Sequence, residues 1–282
     1  MAVFADSAKV RFYFQTSAFI EKSLTFELMK PSSSSALRRV IIIGASSGIG
    51  REIALLYIRR GWYVGVAARR QEELNQLKAL APERVQTAYV DITQHGCENN
   101  IAQLFHALGD TIDVYWHVAG VGRKNYDLSE GIEIQTVHTN AAGFVRSIGM
   151  AYRHMAQQGY GHIAIVSSIA GTKGLGPAPA YSATKALQNT YLQALEQLAH
   201  RNGLPLHFTD IRPGFVNTAL LAPTQSESPQ RYPMLLNPEK VARKAVAATD
   251  KQRHIVVIDS RWRCLTVLWR RVPRWLWRRL KL

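Results

Sequence analysis

Cysteine is scarce in this chain: its 282 residues include two, Cys97 and Cys264. They lie far apart, with no zinc-ligand spacing around either, so the sequence suggests neither a disulfide framework nor a metal site. A reducing, cytoplasmic setting is the simplest inference. Long apolar runs are missing too, and none reaches the roughly 18 to 20 residues that a membrane-spanning helix needs. The opening residues lack the charged start, continuous apolar stretch and small-residue cleavage site of a secretory signal. Asp6, Glu21 and Glu27 argue against a mitochondrial presequence.

Acidic residues are also in short supply, 20 Asp plus Glu against 35 Lys plus Arg, for a net charge of +15. The excess is uneven, because residues 261–282 hold eight Arg or Lys and no acid. More than half the net charge therefore sits in a tail, and the rest of the chain is only moderately basic.

What the chain does have is apolar material, 47% of its residues, enough for the core of one large α/β domain. Three parts are expected: a lead-in over 1–37 that closes on the Ser32–Ser35 linker, a catalytic domain over 38–260, and the basic tail over 261–282. The first 28 residues, ahead of an internal Met29, read as an appendage or as an upstream start.

From Arg39 onward, short β-branched runs alternate with helical periodicity. Strands are expected at Val40–Ile43, Tyr63–Ala67, Val85–Val90, Val114–Val118, His162–Ser167, Leu206–Ile211 and Ile255–Ile258. Helices are expected at Arg51–Arg60, Gln71–Leu80, Gly131–Gln157 and Ser182–Arg201. Strands separated by helices of this length imply right-handed βαβ units and a doubly wound Rossmann fold, here with a seven-stranded parallel sheet.

The first strand runs directly into Gly44, Ala45, Ser46, Ser47, Gly48, Ile49 and Gly50, and then into a helix. Glycines at such a turn let the backbone approach a pyrophosphate, whose charge the helix N-terminus favours. A carboxylate at the end of the second strand would hold the ribose hydroxyl of NAD, whereas this chain has Ala68, Arg69 and Arg70. Two guanidiniums there suit a 2′-phosphate, so NADP(H) is expected over NAD(H).

Tyr181 and Lys185 lie four residues apart at the start of a predicted helix and so share a face. An ammonium beside a phenol favours the phenolate and makes Tyr181 a candidate proton carrier. Ser168 precedes Tyr181 by thirteen residues, at the end of the fifth predicted strand.

The Gly-x-x-x-Gly-x-Gly turn, the Ser167–Ser168 strand end and the Tyr181 to Lys185 segment, in this order and spacing, resemble the short-chain dehydrogenase/reductase family. The resemblance runs from about Arg39 to Asp259. It implies NAD(P)-dependent interconversion of a carbonyl and an alcohol, with Tyr181 as general acid/base and Ser168 hydrogen-bonding the substrate oxygen. Asn140 would hold a water that links Lys185 to solvent, and Lys185 would also bind the nicotinamide ribose. Asp91 matches the position that contacts the adenine amino group.

Ala119 and Gly120 match the end of the family's Asn-Asn-Ala-Gly motif, with His117 and Val118 as departures; His117 is expected to be a satisfied core histidine. Pro213, Gly214, Val216 and Thr218 match the segment that binds the carboxamide, and the following stretch to Pro238 would fold over the substrate. A homodimer or homotetramer formed through the two long helices is implied. The rival reading is a non-catalytic dinucleotide sensor or membrane scaffold.

In the tail, apolar residues at 265, 268, 269, 272, 276 and 280 are spaced as on an amphipathic helix that Pro273 would kink. Trp269, Trp275 and Trp277 lie near its flanks, and Arg270, Arg271, Arg274 and Arg278 on another side. Peripheral attachment to an anionic membrane, at its inner face, is one reading. Packing on the chain's own domain or on a partner subunit is the other. Nucleic-acid binding has no reader module elsewhere in the chain to support it.

Overall fold

A computed structural model describes residues 38–221 and 232–280. The expected lead-in over 1–37, the middle of the stretch expected over the substrate and the last two residues of the tail lie outside the described residues.

The sheet follows from the β-branched runs. Its strands are β1 (Arg39–Ile43), β2 (Tyr63–Ala68), β3 (Val85–Tyr89), β4 (Val114–His117), β5 (Gly161–Val166), β6 (Leu206–Arg212) and β7 (Ile255–Val257), all parallel, in the order β3-β2-β1-β4-β5-β6-β7. The seven-stranded doubly wound fold expected from the sequence is the fold observed. Its order reverses beside β1, which leaves a crevice at the carboxyl ends of β1 and β4.

Period-two alternation supplies a core to each face. Val40 and Ile42 pack with Ile53 and Tyr57 of α1 (Gly48–Arg59), Leu74 of α2 (Gln71–Ala79) and Val241 of α7 (Pro238–Asp250). Ile41 and Ile43 pack with Leu104 of α3 (Cys97–Ala107), Ile148 of α5 (Phe144–Gln158) and Leu192 of α6 (Pro179–Arg201). Truncating a fully buried isoleucine such as Ile41 to alanine would cost about 2–5 kcal/mol.

One helix expected from the sequence is in fact three segments. The stretch read as Gly131–Gln157 comprises α4 (Glu130–Val137), a π-helical turn over His138–Gly143, and α5. Apolar periodicity over so short a stretch does not report such a slip, because the widened turn is defined by its backbone hydrogen-bond register and not by residue type. Such widened turns gather at functional sites, and this one carries Asn140.

The tail forms α8 (Ser260–Arg271), capped by the Asp259 carboxylate on the Arg261 amide, and the short α9 (Arg274–Trp277), with the break at Val272–Pro273. It packs on its own domain. Trp262 is buried, Trp269 Nε1 donates to Thr172 Oγ1 at 2.9 Å, and Trp277 Nε1 donates to the Gly174 carbonyl at 2.8 Å. Of the flank tryptophans, only Trp275 faces outward, at 58% exposed. Among the described residues no helix is long and apolar enough to cross a membrane.

Candidate active site

The crevice above β1 is shaped by backbone. Gly44 has φ +94° and Gly48 φ +54°, a region that side-chain-bearing residues rarely adopt. A Cβ on Gly44 would lie 2.5 Å from the Ala119 nitrogen, and one on Gly50 would lie 2.2 Å from the Gly44 carbonyl oxygen. The turn thus folds tightly enough for α1 to start at Gly48.

Ser47, at the N-cap of α1, gives no side-chain cap bond, which leaves the first-turn N–H groups available to an anion. Its hydroxyl instead accepts from Arg70 Nη2 at 2.6 Å, as does that of Ser46 at 2.9 Å. Arg69 is exposed beside it. Asp91 Oδ1 accepts from Thr93 N and Thr93 Oγ1, an arrangement that fixes the carboxylate at the end of β3. Thr218 comes to this turn from the other side, with its Cγ2 2.9 Å from where a Gly48 Cβ would stand. The donor set, the glycine cradle and the uncapped helix end fit a dinucleotide.

Asn140 is fully buried, and its side chain pairs with the backbone of Val121 in both directions: Oδ1 accepts from Val121 N at 2.8 Å, and Nδ2 donates to Val121 O at 2.7 Å. This holds the Ala119–Gly122 strand end, and Gly122 in turn lies against the Tyr181 ring, where a Cβ would meet ring carbons at 2.7 Å. The Asn140 carbonyl, presented by the π turn, accepts from Gln188 Nε2 at 2.8 Å. Lys185 Nζ donates to Gln188 Oε1 at 2.9 Å and to the Val166 carbonyl at 3.1 Å.

Ser168, Tyr181 and Lys185 come together at the end of β5 and the start of α6. Lys185 Nζ lies 5.8 Å from the Tyr181 ring centroid. The sequence predicts that the ammonium draws the phenol pKa down. Instead burial holds Tyr181 above its usual value, with a hydrogen bond from Ser168 pulling weakly the other way. Burial also lowers Lys185 to about 8, opposed by the Asp210 carboxylate. Desolvation of the charged form is the largest cause of both shifts.

Ser167 points away from this cluster and donates to Asp210, which also pairs with Arg212 Nε at 2.6 Å. Pro213 and Val216 are buried and Gly214 half-buried, Gly214 because Trp262 lies so close that a Cβ would meet Cε2 at 2.2 Å. His117 is buried as expected, but it is not satisfied. Neither ring nitrogen makes a hydrogen bond of full geometry among the described residues, and burial, with the Lys185 charge, lowers its pKa to about 3 against a weak opposing contact from the Ala119 backbone. The residues that sequence reasoning missed are Gln188, Gly122 and Asp210. For Asp210 a signal was available, an acid inside the apolar strand Leu206–Ile211.

The short-chain dehydrogenase family model matches residues 38–229. The chain belongs to that family. An uncharacterized oxidoreductase from Myxococcus xanthus is 33% identical over 197 residues, 66% of this chain and 74% of that protein.

Among solved structures, a short-chain dehydrogenase/reductase from Burkholderia phymatum in complex with NAD is similar at TM-score 0.73 and 19% identity, covering 82% of this chain and 92% of that one. An alcohol dehydrogenase from Thermococcus sibiricus complexed with 5-hydroxy-NADP is similar at TM-score 0.68 and 22% identity, covering 80% and 98%. These structural likenesses establish the fold. As a member of the short-chain dehydrogenase family the chain is an oxidoreductase, and structural neighbours bind NAD or NADP.

Proposed function

We propose that this short-chain dehydrogenase interconverts a carbonyl and an alcohol with NADP(H), with Tyr181 as the general acid/base. The observation that carries the reading is Tyr181, half-buried beside the buried Ser168 and Lys185, with Lys185 Nζ 5.8 Å from its ring centroid. The protonated phenol serves as general acid in carbonyl reduction, and its conjugate phenolate as general base in the reverse oxidation.

Bound nicotinamide would supply the hydride to the carbonyl carbon. Tyr181 Oη gives its proton to the carbonyl oxygen, so hydride plus proton balance the alcohol formed. Ser168 Oγ donates to the same oxygen as charge gathers there. Lys185 keeps a positive charge beneath the phenol, and Gln188 and the Val166 carbonyl hold that ammonium in place. Gly44, Ser46–Gly50, Asp91, Ala119, Gly120 and the Pro213–Thr218 segment would hold the dinucleotide. Arg69 and Arg70, with no acid at the end of β2, support the 2′-phosphate.

We include in the same reading a membrane contact by the outer face of the tail. Leu268 is 64% exposed and Trp275 58%, and both stand among arginines with no acid from 261 to 282.

The test is NADPH oxidation across a broad panel of ketones and aldehydes, with cofactor binding measured by calorimetry. Tyr181→Phe should leave binding nearly intact and lower turnover about 10²- to 10⁴-fold. Binding without turnover over the whole panel would hand the case to the non-catalytic sensor or scaffold.

A further inference from the structure

The tail touches both backbone segments that frame the reacting groups. The first runs from Ser168 to Tyr181. It receives Trp269 on Thr172 and Trp277 on Gly174, while Lys173 Nζ donates back to the Val272 carbonyl at 2.7 Å and stands 5.2 Å from the Trp277 ring. The second is the Pro213–Thr218 segment. Trp262 lies on Gly214 and meets Phe215 edge to face at 5.6 Å between ring centroids. Three of the tail's tryptophans therefore serve as inward clamps on the site.

The same short segment also leaves large apolar side chains in solvent: Val267 is 47% exposed, Leu268 64%, Trp275 58%, Leu276 37% and Leu280 44%. Apolar exposure on this scale, interleaved with Arg270, Arg271, Arg274, Arg278 and Arg279, is costly in water and complementary to an anionic lipid interface. An acidic protein surface would match the arginines but leave the leucines to be explained.

We infer that this outer face seats the enzyme on an anionic bilayer and that the site takes its carbonyl or alcohol from a lipid-soluble molecule dissolved there. The inference rests on the oxidoreductase and membrane readings above. Its reason is geometric: a segment clamped to both walls of the site cannot lie on a membrane without bringing those walls to it. A substrate held in the bilayer then reaches Tyr181 without crossing water, whereas a small soluble ketone gains nothing from the contact.

The experiment uses the full chain with NADPH. Flotation is measured with phosphatidylcholine vesicles, with and without phosphatidylglycerol. Reduction is measured for methyl pentadecyl ketone carried in those vesicles and for the soluble ketones that the panel finds active. Wild-type protein should float with the anionic vesicles, and reduce the long ketone faster in them than in neutral ones.

The double variant Leu268→Glu with Trp275→Glu changes exposed side chains, so its melting temperature should hold and its rate on soluble ketones should stay within about twofold. It should cease to float and lose at least about tenfold on the long ketone. If wild type does not float, the membrane reading falls. If it floats but ignores the long ketone, or the variant reduces that ketone as well as wild type does, the substrate inference falls and the oxidoreductase reading stands. Inactivity on every soluble ketone as well would overturn the proposed carbonyl–alcohol activity itself.

Discussion

Lys185 Nζ and Gln188 Oε1 are 2.9 Å apart, and Gln188 spans onward to the Asn140 carbonyl at 2.8 Å. A side-chain amide, 1% exposed, thus links the Lys185 ammonium to the Asn140 carbonyl. An amide holds both partners firmly and orients the ammonium, but it does not exchange protons with solvent as a water does. Gln188 is therefore a positioning residue that acts through Lys185.

Replacing Gln188 with leucine removes the acceptor at similar volume and leaves Lys185 the Val166 carbonyl alone. Since hydrogen bonds to charged groups contribute about 1.5–3 kcal/mol, kcat should fall roughly tenfold or more, with the KM for NADPH little changed. The alkaline limb of the pH–rate profile should move to lower pH in Gln188→Leu and to higher pH in Gln188→Glu, which restores an acceptor and adds charge. Two variants with an unmoved limb would show that the contact is merely structural.

Lys185 carries its own pH signature. Its pKa is lowered to about 8 in the folded protein, from an ordinary value of 10.5. The ammonium is therefore lost as pH rises through about 8, and the reduction rate should decline there. Between pH 8 and 10.5 the unfolded chain binds the extra proton, so stability should increase with pH across that window. Denaturant titrations at the two ends should show the increase in wild type, and a smaller one in Lys185→Met.

Arg70 bridges Ser46 and Ser47 at the mouth of the glycine turn. Arg70→Glu should raise the Kd for NADPH by at least about tenfold and change that for NADH far less, because only the former would place a phosphate against the new carboxylate. Calorimetry with both cofactors reads this directly, and equal losses for the two would mean that Arg70 only braces the turn.

His117 is buried with no side-chain hydrogen bond of full geometry among the described residues, and it makes an edge-to-face contact with Phe144 at 5.1 Å. Exchanging an unsatisfied buried polar group for an apolar one of similar size removes a desolvation penalty of about 1–3 kcal/mol. His117→Leu should raise the melting temperature by a few degrees. A drop would mean that the imidazole has a polar partner that matters more than its burial.

Much of the site was legible because its signals are short-range. The glycine turn follows its strand directly, and Tyr181 and Lys185 are one helical turn apart, so neither needs knowledge of distant partners. The π turn at Asn140 was hidden, since apolar spacing reports a stripe and not a hydrogen-bond register. The tail showed its amphipathic period but not which of its faces would find a home.

By itself, then, the sequence determined the alternation of buried strands and covering helices, and with it the parallel sheet and the local placement of Gly44–Gly50, Tyr181 and Lys185. Tertiary structure alone decided that Gln188 meets a carbonyl 48 residues away, that Ser167 meets Asp210 across 43, and that Trp269 and Trp277 turn inward onto the Ser168–Tyr181 connection. The physical reason is one of range. Backbone propensity and side-chain period act over a few residues, whereas desolvation and the choice of hydrogen-bond partner depend on whatever the fold brings within about 3 Å.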